Sequence, residues 1–173
     1  MDNDDQLVFE FQQGSHEAFG ELFERYRDPI YGFFRRRLQN PARAEELAQD
    51  CFLALLRNAS RYEPRASFRS YLYGIAMNMV FAERRKSSRE VEGEGKRPDP
   101  STEEDADATL WVRRALEHLE ENDREILMLR EYEQLSYAEI GGMLRLPINT
   151  VRSRLFRARM ALKEQLTPVR GGN

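Results

Sequence analysis

The sequence predicts an all-α protein made of two small helical domains that are joined by a flexible acidic linker. Apolar residues recur at spacings of three and four in both halves of the chain, which is the pattern of amphipathic helices. A polar stretch without aromatic residues separates the two halves, over residues 87–106. The length of 173 residues suits one ordinary domain or two small ones, and 33% charged residues indicate much exposed surface. Together these observations favour two helical units over one compact globule.

The first predicted helix begins after Ser15, whose hydroxyl can cap the backbone at its start. Pro29 lies inside the helical pattern and lacks a backbone donor, so we expect a kink or an interruption there. The apolar stripe of this helix consists of Ala18, Phe19, Leu22, Phe23, Tyr26, Ile30, Phe34 and Leu38.

The second predicted helix is entered through Asn40 and Pro41 and ends near Asn58. Because Cys51 lies on its apolar stripe, the pattern favours a buried core thiol over a reactive one. The stripe consists of Ala44, Leu47, Ala48, Cys51, Phe52, Leu55 and Leu56. The opposite face carries Glu45, Glu46, Gln49, Asp50 and Asn58. That polar face is either a solvated surface or a docking surface for a partner.

The third predicted helix runs from about Ser67 to Arg85 and ends in a basic cluster of Arg84, Arg85 and Lys86. Its predicted stripe consists of Phe68, Tyr71, Leu72, Ile75, Ala76, Met79 and Val80. The segment before and at its start contains Arg61, Tyr62, Pro64, Arg65, Phe68 and Arg69. Aromatic rings interleaved with arginines are typical of surfaces that stack unpaired bases and bind the phosphates around them. Phe68 and Tyr71 fit a helical core equally well, so both interpretations stay open.

The acidic charge of the chain is concentrated in its middle. Residues 1–90 contain 14 basic and 14 acidic residues, residues 91–125 contain 5 and 12, and residues 126–173 contain 8 and 4. The overall net charge of −3 therefore includes a basic C-terminal segment. Residues 87–106 have too little apolar surface to offset the entropy lost on ordering. We place the two domains at 4–88 and 108–168, with the flexible linker at 89–107.

Two further helices are predicted from the apolar positions between Leu110 and Arg130, with Asn122 and Asp123 as the cap between them. Ser136 followed by Glu139 matches a capping box and predicts the start of another helix. Pro147 suits the first turn of the helix that follows. Two short helices joined by a tight turn, the second one basic, are typical of a DNA-binding helix-turn-helix.

The faces of the last helix follow from its periodicity. Val151, Leu155, Ala158 and Leu162 are predicted to face the core. The residues predicted to face outward are Asn149, Arg152, Ser153, Phe156, Arg157 and Lys163. Six basic residues and no acidic one lie between Ile140 and Lys163, and an exposed phenylalanine is well placed to contact a thymine methyl group. This composition favours a DNA-binding face over a face that is merely exposed to solvent.

The sequence predicts neither an enzyme active site nor a metal or cofactor site. One cysteine and two histidines are too few for an internal disulfide or a Cys/His zinc cluster. There is no nucleophile with a base and no phosphate-binding glycine loop. The acidic N-terminus lacks the features of a signal peptide, and no apolar run approaches the roughly 20 residues of a membrane span. We expect a cytoplasmic protein that is not an enzyme and uses no cofactor.

Three segments of the chain carry a family resemblance. They are AEELAQDCF at 44–52, SFRSYLYGIAMN at 67–78, and LSYAEI at 135–140 together with PINTVRSRLFRAR at 147–159. In this order and at these separations they resemble the extracytoplasmic-function (ECF) sigma factors, the small two-domain branch of the sigma-70 family of bacterial transcription initiation factors. The resemblance covers nearly the whole chain except the linker and the termini.

The resemblance implies a region-2 domain and a region-4 domain at the two domain positions given above. The implied partners are core RNA polymerase, promoter DNA and an anti-sigma factor. The chain would bind the polymerase through its β′ clamp helices and β flap, and no small-molecule substrate is implied. A membrane-bound anti-sigma factor would keep the protein at the inner membrane face. Binding energy would then drive promoter melting, because trapping unstacked bases offsets the cost of flipping them.

The resemblance also implies roles for individual residues. Those implied to bind the β′ clamp helices are Glu46, Gln49 and Asp50. At the −10 element, the loop 60–68 is implied to capture a base, and the helix after it is implied to contact the DNA. The residues implied there are Arg61, Tyr62, Arg65, Phe68, Tyr71, Asn78, Arg84 and Arg85. Those implied at the −35 element are Asn149, Thr150, Arg152, Ser153, Phe156, Arg157, Arg159 and Lys163.

Two alternative functions compete with this interpretation. A helix-turn-helix regulator would need a receiver or ligand-binding domain, but residues 1–90 have neither an alternating strand pattern nor an acidic phosphorylation pocket. A helical adaptor that binds only protein leaves the basic last helix and Phe156 unexplained. The resemblance therefore favours a sigma factor over both.

Overall fold

The computed structural model describes residues 3–91 and 107–167, which form eight α-helices and one 3₁₀ turn without a β-strand in those two ranges. The chain divides into two compact units, Met1–Asp99 and Pro100–Asn173. The prediction of an all-α fold with two helical units is therefore confirmed. Most of the predicted linker, residues 92–106, lies outside the described residues.

Unit 1 is a bundle of four helices. They are α1 (Asn3–Gln12), α2 (His16–Arg37), α3 (Pro41–Asn58) and α4 (Phe68–Val91), with the 3₁₀ turn Ala59–Arg61 after α3. The predicted cap at Ser15 is present, because its hydroxyl accepts from Ala18 N. Asn40, which the sequence analysis gave only as the entry to α3, is also a cap: its side chain accepts from Ala42 N and Arg43 N. Fully buried large side chains, among them Phe33, Phe34 and Leu72, fill the centre of the bundle.

The expected interruption at Pro29 does not occur, because α2 continues through it to Arg37. A proline in a helix interior removes one backbone hydrogen bond and lowers the stability of the helix by about 3 kcal/mol. The residues that follow Pro29 are the most deeply buried of this helix: Ile30, Phe33 and Phe34 have no accessible surface. Tertiary packing therefore outweighs the local preference, as it does for most helices in proteins.

Helix α1 was not predicted, since its residues show no clear apolar periodicity. Asp4 anchors it to α2, because the buried carboxylate accepts hydrogen bonds from the guanidinium of Arg25 and the hydroxyl of Tyr26. Burial, followed by the hydrogen bond to Asp4, raises the pKa of Tyr26 far above its usual value. These polar contacts cross between helices, so sequence periodicity does not reveal them.

The buried face of α4 differs from the predicted one. Tyr73 and Met77 lie in the core, whereas Tyr71, Ile75 and Met79 are only half-buried. The helix also continues to Val91, past the predicted end at Arg85 and into the predicted linker. No glycine or proline occurs between Lys86 and Val91, so nothing in this segment ends the helix. The linker prediction is thus wrong at its first residues, 89–91, and at Asp107, where the next helix begins.

Unit 2 contains the remaining four helices. They are α5 (Asp107–Glu117), α6 (Glu121–Glu131), α7 (Tyr137–Leu144) and α8 (Ile148–Leu166). Val151, Leu155 and Ala158 of α8 are buried as predicted, and α8 packs against α5, α6 and α7. The predicted capping box is present, with Glu139 N donating to Ser136 Oγ at 3.1 Å and Ser136 N donating to Glu139 Oε2 at 2.8 Å.

The predicted cap at Asn122 and Asp123 is wrong. Helix α6 starts after Glu120, which makes no side-chain capping hydrogen bond, so Asp123 lies inside the first turn. Its side chain is only 8% exposed. A carboxylate in the first turn of a helix is favoured by the helix dipole, but burial requires further partners for the charge.

The turn between α7 and α8 depends on a close backbone approach at Gly141. A Cβ atom added there would lie 2.7 Å from the carbonyl oxygen of Leu146, whereas one added at Gly142 would meet no atom within 4 Å. Arg145 in this turn has a left-handed backbone, with φ 58°. Gly141 is therefore required by the geometry of the turn, and Gly142 is not.

We expect Gly141→Ala to destabilise unit 2 by about 1–3 kcal/mol, because backbone atoms must move to admit the methyl group. The neighbouring change Gly142→Ala is the matched control, and it should stabilise the helix by about 0.5–1 kcal/mol. Urea unfolding followed by circular dichroism measures both. If the two variants changed stability in the same direction, the close approach would not govern this turn.

Cys51 is buried, as predicted, and burial raises the pKa of its thiol to about 12. In the described ranges, no group of histidine, cysteine or carboxylate side chains is arranged to bind a metal ion. Among the same residues, no helix combines the length and apolar character needed to cross a lipid bilayer.

Candidate nucleic-acid interface

The outward side of α3 presents the three residues that the sequence implied as polymerase contacts. Glu46, Gln49 and Asp50 are all exposed, and with Leu53 they form what we call the α3 face. Arg43 borders this face: its Nη1 donates to Glu46 at 2.8 Å, while Nε and Nη2 donate to the two carboxylate oxygens of Glu83 on α4, at 2.8 and 2.9 Å. The hydrogen bond from Arg43 lowers the pKa of Glu83.

Leucines on the outer side of α3 were missed or misplaced by the sequence analysis. Leu53 is 46% exposed, and Leu56, which was assigned to the core stripe, is 42% exposed. The signal for Leu53 was present in the sequence, because it follows Gln49 by four residues and Asp50 by three. The α3 face therefore combines acidic and apolar groups, and such a surface suits contact with a protein partner better than exposure to solvent.

Hydrogen bonds from Gln12 of α1 support the backbone of the loop before α4. Gln12 Nε2 donates to the carbonyl oxygens of Ala59 and Tyr62 at 2.7 and 3.0 Å, and the Tyr62 hydroxyl donates to the carbonyl oxygen of Ala66 at 3.3 Å. Helix α1 thereby fixes the backbone of the segment that was implied to capture a base. Burial raises the pKa of Tyr62 to about 12, with a contribution from Asp5.

Two aromatic residues implied at the −10 element belong to the core instead. Phe68 is 1% exposed, and its ring packs edge-on against Tyr26 and Tyr62. Tyr62 is also buried. Neither ring can stack on a nucleotide base in this conformation, because the faces are occupied by neighbouring side chains. The interpretation of Phe68 as a core residue, which the sequence left open, is the correct one.

Three of the residues implied at the −10 element form a line along α4. Tyr71, Asn78 and Arg85 are seven residues apart, or about two helical turns, so they lie along one side of the helix. Tyr71 is half-buried beside Tyr62, with ring centroids 4.7 Å apart, while Asn78 and Arg85 are exposed. At 1.5 Å per residue the line is about 21 Å long. We call it the α4 line.

Basic side chains surround the α4 line. Arg85, Lys86 and Arg89 border a common groove near the end of the helix. Arg61 and Arg65 are exposed in the preceding loop, where Arg65 pairs with Glu63 at 2.7 Å. Arg84 is half-buried and lies outside the line. The implied −10 residues thus separate into an accessible set and a core set.

The outer side of α8 matches its prediction. Asn149, Arg152, Ser153, Arg157, Arg159 and Lys163 are exposed, and Thr150 is half-buried. Phe156 is 69% exposed, the largest exposed fraction of any large apolar side chain in the described ranges. An apolar ring left in water on a basic helix has no structural role in the unit that carries it. This α8 face is therefore the best candidate for contact with DNA bases.

The charge on α8 is more balanced than its own sequence suggested. Arg157 donates from Nε and Nη2 to the two carboxylate oxygens of Asp123, both at 3.0 Å, and this hydrogen bonding raises its pKa. Arg159 donates from Nη2 to Glu131 at 2.6 Å. The acidic partners come from α6, so counting charges along α8 alone overstates its free positive charge. Among the described residues, Arg152 has no ion-pair partner.

Comparison with known proteins identifies both units. A family model described as sigma-70 region 2 matches residues 22–90, and one described as sigma-70, region 4 matches residues 109–162. The first match covers the α3 face, the loop and the α4 line, and the second covers α6, α7 and nearly all of α8. The two matches occur in one chain and in that order.

Curated relatives match along almost the full length. The RNA polymerase sigma-H factor of Pseudomonas aeruginosa is 32% identical, covering 98% of this chain and 96% of the relative. The ECF RNA polymerase sigma factor SigW of Bacillus subtilis is 30% identical, covering 92% and 94%. The ECF RNA polymerase sigma-E factor of Escherichia coli is 30% identical, covering 96% and 95%.

Two solved structures share the fold. One is CnrH in complex with the cytosolic domain of CnrY, with a TM-score of 0.72 and 23% identity, covering 95% of this chain and 97% of CnrH. The other is the sigma factor RpoE in complex with the anti-sigma factor NepR from Bartonella quintana, with a TM-score of 0.73 and 24% identity, covering 89% and 99%. At these identities the likeness concerns the arrangement of helices.

Proposed function

This chain belongs to the ECF sigma factors of the sigma-70 family, and from that premise we propose which of its surfaces perform the steps of transcription initiation. The α3 face binds the β′ clamp helices of core RNA polymerase. The loop 60–67 and the α4 line bind the −10 element, and the α8 face reads the −35 element. The observation that carries this assignment is that regions 2 and 4 occur together in one chain, each with an exposed surface of suitable chemistry.

The assignment of α8 to the −35 element rests on its exposed side chains. A helix that enters the major groove needs polar and apolar groups that can reach base edges. Arg152 and Ser153 lie on the same exposed side of α8 as Phe156. Arginine pairs with guanine edges or phosphates, and a phenylalanine ring fits the methyl group of thymine.

The assignment of α4 to the −10 element rests on length and accessibility. The α4 line is about 21 Å long, which corresponds to about six base pairs at 3.4 Å per pair. The half-buried Tyr71 provides an aromatic ring at one end, and the exposed Arg85 provides a positive charge at the other. Stacking of a base on an aromatic ring and contacts to phosphates together stabilise unpaired DNA. Melting would then require no catalytic step and no cofactor.

Control by an anti-sigma factor is part of the proposal. Two proteins with this fold were solved as complexes: CnrH with the cytosolic domain of CnrY, and the sigma factor RpoE with the anti-sigma factor NepR. We propose that this chain also binds an anti-sigma factor and acts in the cytoplasm, where polymerase and DNA are found. A membrane-bound anti-sigma factor would retain it at the inner membrane face.

Reconstituted transcription tests the proposed function directly. The full chain is mixed with bacterial core RNA polymerase and a library of promoters in which the −35 and −10 elements are randomised. We expect transcripts from a subset of the library that share one pair of elements, and none from core polymerase alone. The absence of chain-dependent transcripts from every library member would contradict the proposal.

We expect Phe156→Ala to reduce −35-dependent transcription by a factor on the order of five to ten, because one apolar base contact is lost. Its stability should stay within about 0.5 kcal/mol of the original chain, since the ring is exposed. Phe9→Ala, which removes another exposed phenylalanine at 57% exposure, is the matched control and should leave transcription unchanged. Equal effects of the two changes would remove Phe156 from the DNA interface.

A further inference from the structure

Asp123 of α6 is a buried carboxylate that the proposed contacts do not use. Its side chain is 8% exposed, and it accepts two parallel hydrogen bonds from Arg157 on the exposed side of α8. Arg154 Nη1 lies 3.7 Å from the same carboxylate, and Glu120 lies 3.6 Å from Arg157 Nη2. One buried acid therefore joins the start of α6 to the middle of the recognition helix.

We propose that Asp123 is a positioning residue for promoter recognition, which fixes Arg157 so that its outer edge reads a guanine in the −35 element. The proposal rests on the proposed function, since it assumes that the α8 face contacts that element. It adds a residue outside the recognition helix, and it assigns a base contact to one particular arginine.

The division of hydrogen bonds on Arg157 supports this role. A guanidinium has five N–H donors in a rigid plane, and Asp123 uses one on Nε and one on Nη2. Three donors remain, two on Nη1 and one on Nη2. One donor on Nη1 and one on Nη2 point in parallel from the outer edge, and this pair matches the O6 and N7 acceptors of guanine. The Arg157 side chain is 59% exposed, so the outer edge is accessible.

The charge of Asp123 favours a base over a phosphate as the target of Arg157. A phosphate bound by Arg157 would bring a full negative charge close to a buried carboxylate, and to Glu120 as well. Arg154, 3.7 Å from Asp123 and 3.8 Å from Glu120, offsets only part of that repulsion because the two acids share its single charge. The edge of guanine carries only partial charges, so it meets much less repulsion. Arg152 has no such acidic neighbour among the described residues, and it remains suited to a phosphate.

Fixing the side chain in advance also makes recognition more selective. A free arginine loses rotamer freedom when it binds, and it can adapt to several bases or phosphates. A guanidinium held by two bonds to a buried acid has lost that freedom on folding, so binding needs less ordering. It also presents its donors in one plane, so a base without two acceptors in that plane is rejected.

The test measures base preference rather than total activity. The full chain, core RNA polymerase and a promoter library with a randomised −35 hexamer and a fixed −10 element give transcript counts for every −35 sequence. We expect the original chain to prefer guanine at one position by on the order of tenfold. Arg157→Ala and Asp123→Asn should both reduce that preference at the same position, and the double variant should be no worse than Arg157→Ala alone.

Two further variants separate positioning from a structural role. Glu131→Gln removes the charge that pairs with Arg159, in a separate arginine pair on α8 whose side chains are both about half exposed, and it should leave the preference at that position intact. Arg157→Lys keeps a positive charge beside the buried Asp123, so the carboxylate retains a partner and the unit should fold. It should lose the guanine preference because an ammonium group cannot make the parallel pair of bonds, while total binding at low salt is largely retained.

Three results would overturn the proposal. One is that Asp123→Asn lowers transcription equally from all −35 sequences with the guanine preference unchanged, as a purely structural residue would. Another is that Asp123→Asn raises transcription from all sequences, as expected of an acid that merely competes with DNA for Arg157. The third is a preference that Arg157→Lys leaves intact. A complete lack of transcripts from the original chain would instead refute the proposed function itself.

Discussion

Asp50→Arg is expected to abolish binding to core RNA polymerase while the fold remains intact. Asp50 is exposed near the centre of the α3 face, beside Glu46 and Leu53. The proposed interface pairs this acidic face with a basic surface of the polymerase, so the reversal replaces attraction with repulsion. Like charges brought together at an interface cost several kcal/mol. A loss of about 3 kcal/mol corresponds to a reduction in affinity of more than a hundredfold. Affinity for core polymerase, measured by fluorescence anisotropy or by co-purification, tests this.

The control for this charge reversal is Asp28→Arg on α2. Asp28 has a side chain that is 89% exposed, and the substitution produces the same change in net charge. It should leave the affinity for core polymerase within about twofold, because surface changes away from an interface have small effects. Unchanged affinity of the Asp50→Arg variant, with Asp28→Arg as reference, would exclude the α3 face from the polymerase interface.

The second large effect is expected from Phe33→Ala in the centre of unit 1. Phe33 has no accessible surface, packs against the rings of Phe34 and Tyr73, and lies beneath the guanidinium of Arg37 at 3.7 Å from its ring centroid. Removing a buried phenyl ring costs about 3–5 kcal/mol, through lost burial and the cavity that remains. That is a large share of the stability of a small helical unit.

Hydrogen–deuterium exchange measured by mass spectrometry tests this prediction for each unit separately. Peptides from α2 and α4 should exchange faster in Phe33→Ala at neutral pH, because global opening of unit 1 becomes more frequent. Phe9→Ala removes an exposed phenylalanine from the same unit and should leave those rates nearly unchanged. Similar protection in both variants would mean that Phe33 contributes little to the stability of unit 1.

Much of the helical architecture could be predicted from local sequence. The cap at Ser15 and the capping box at Ser136 are short-range patterns, and the structure confirms both. The stripe in α2 is confirmed at Ala18, Leu22, Tyr26, Ile30 and Phe34, but it omitted the fully buried Phe33. The exposure of Phe156 also followed from periodicity along one helix. These features depend on residues three or four apart, so the sequence contains the information needed to recognise them.

The remaining features depend on contacts between helices. Helix α1 is held by Asp4 and Gln12, whose partners lie elsewhere in the chain, and its own residues form no clear stripe. Asp123 read as a helix cap because its partner, Arg157, is 34 residues away in sequence. Phe68 could be core or interface until its neighbours were known. Distant polar pairs of this kind leave no periodic signal.

The contacts made by α1 determine where a fragment of this protein can be cut. The region 2 match begins at residue 22, within α2 and beyond α1. A fragment starting there would lose the acceptor of the buried Tyr26 hydroxyl and the amide of Gln12 that supports the loop before α4. We therefore expect a stable fragment of this unit to require residues 3–12. Domain swaps and split-protein designs in this family of chains should keep that helix together with the bundle it supports.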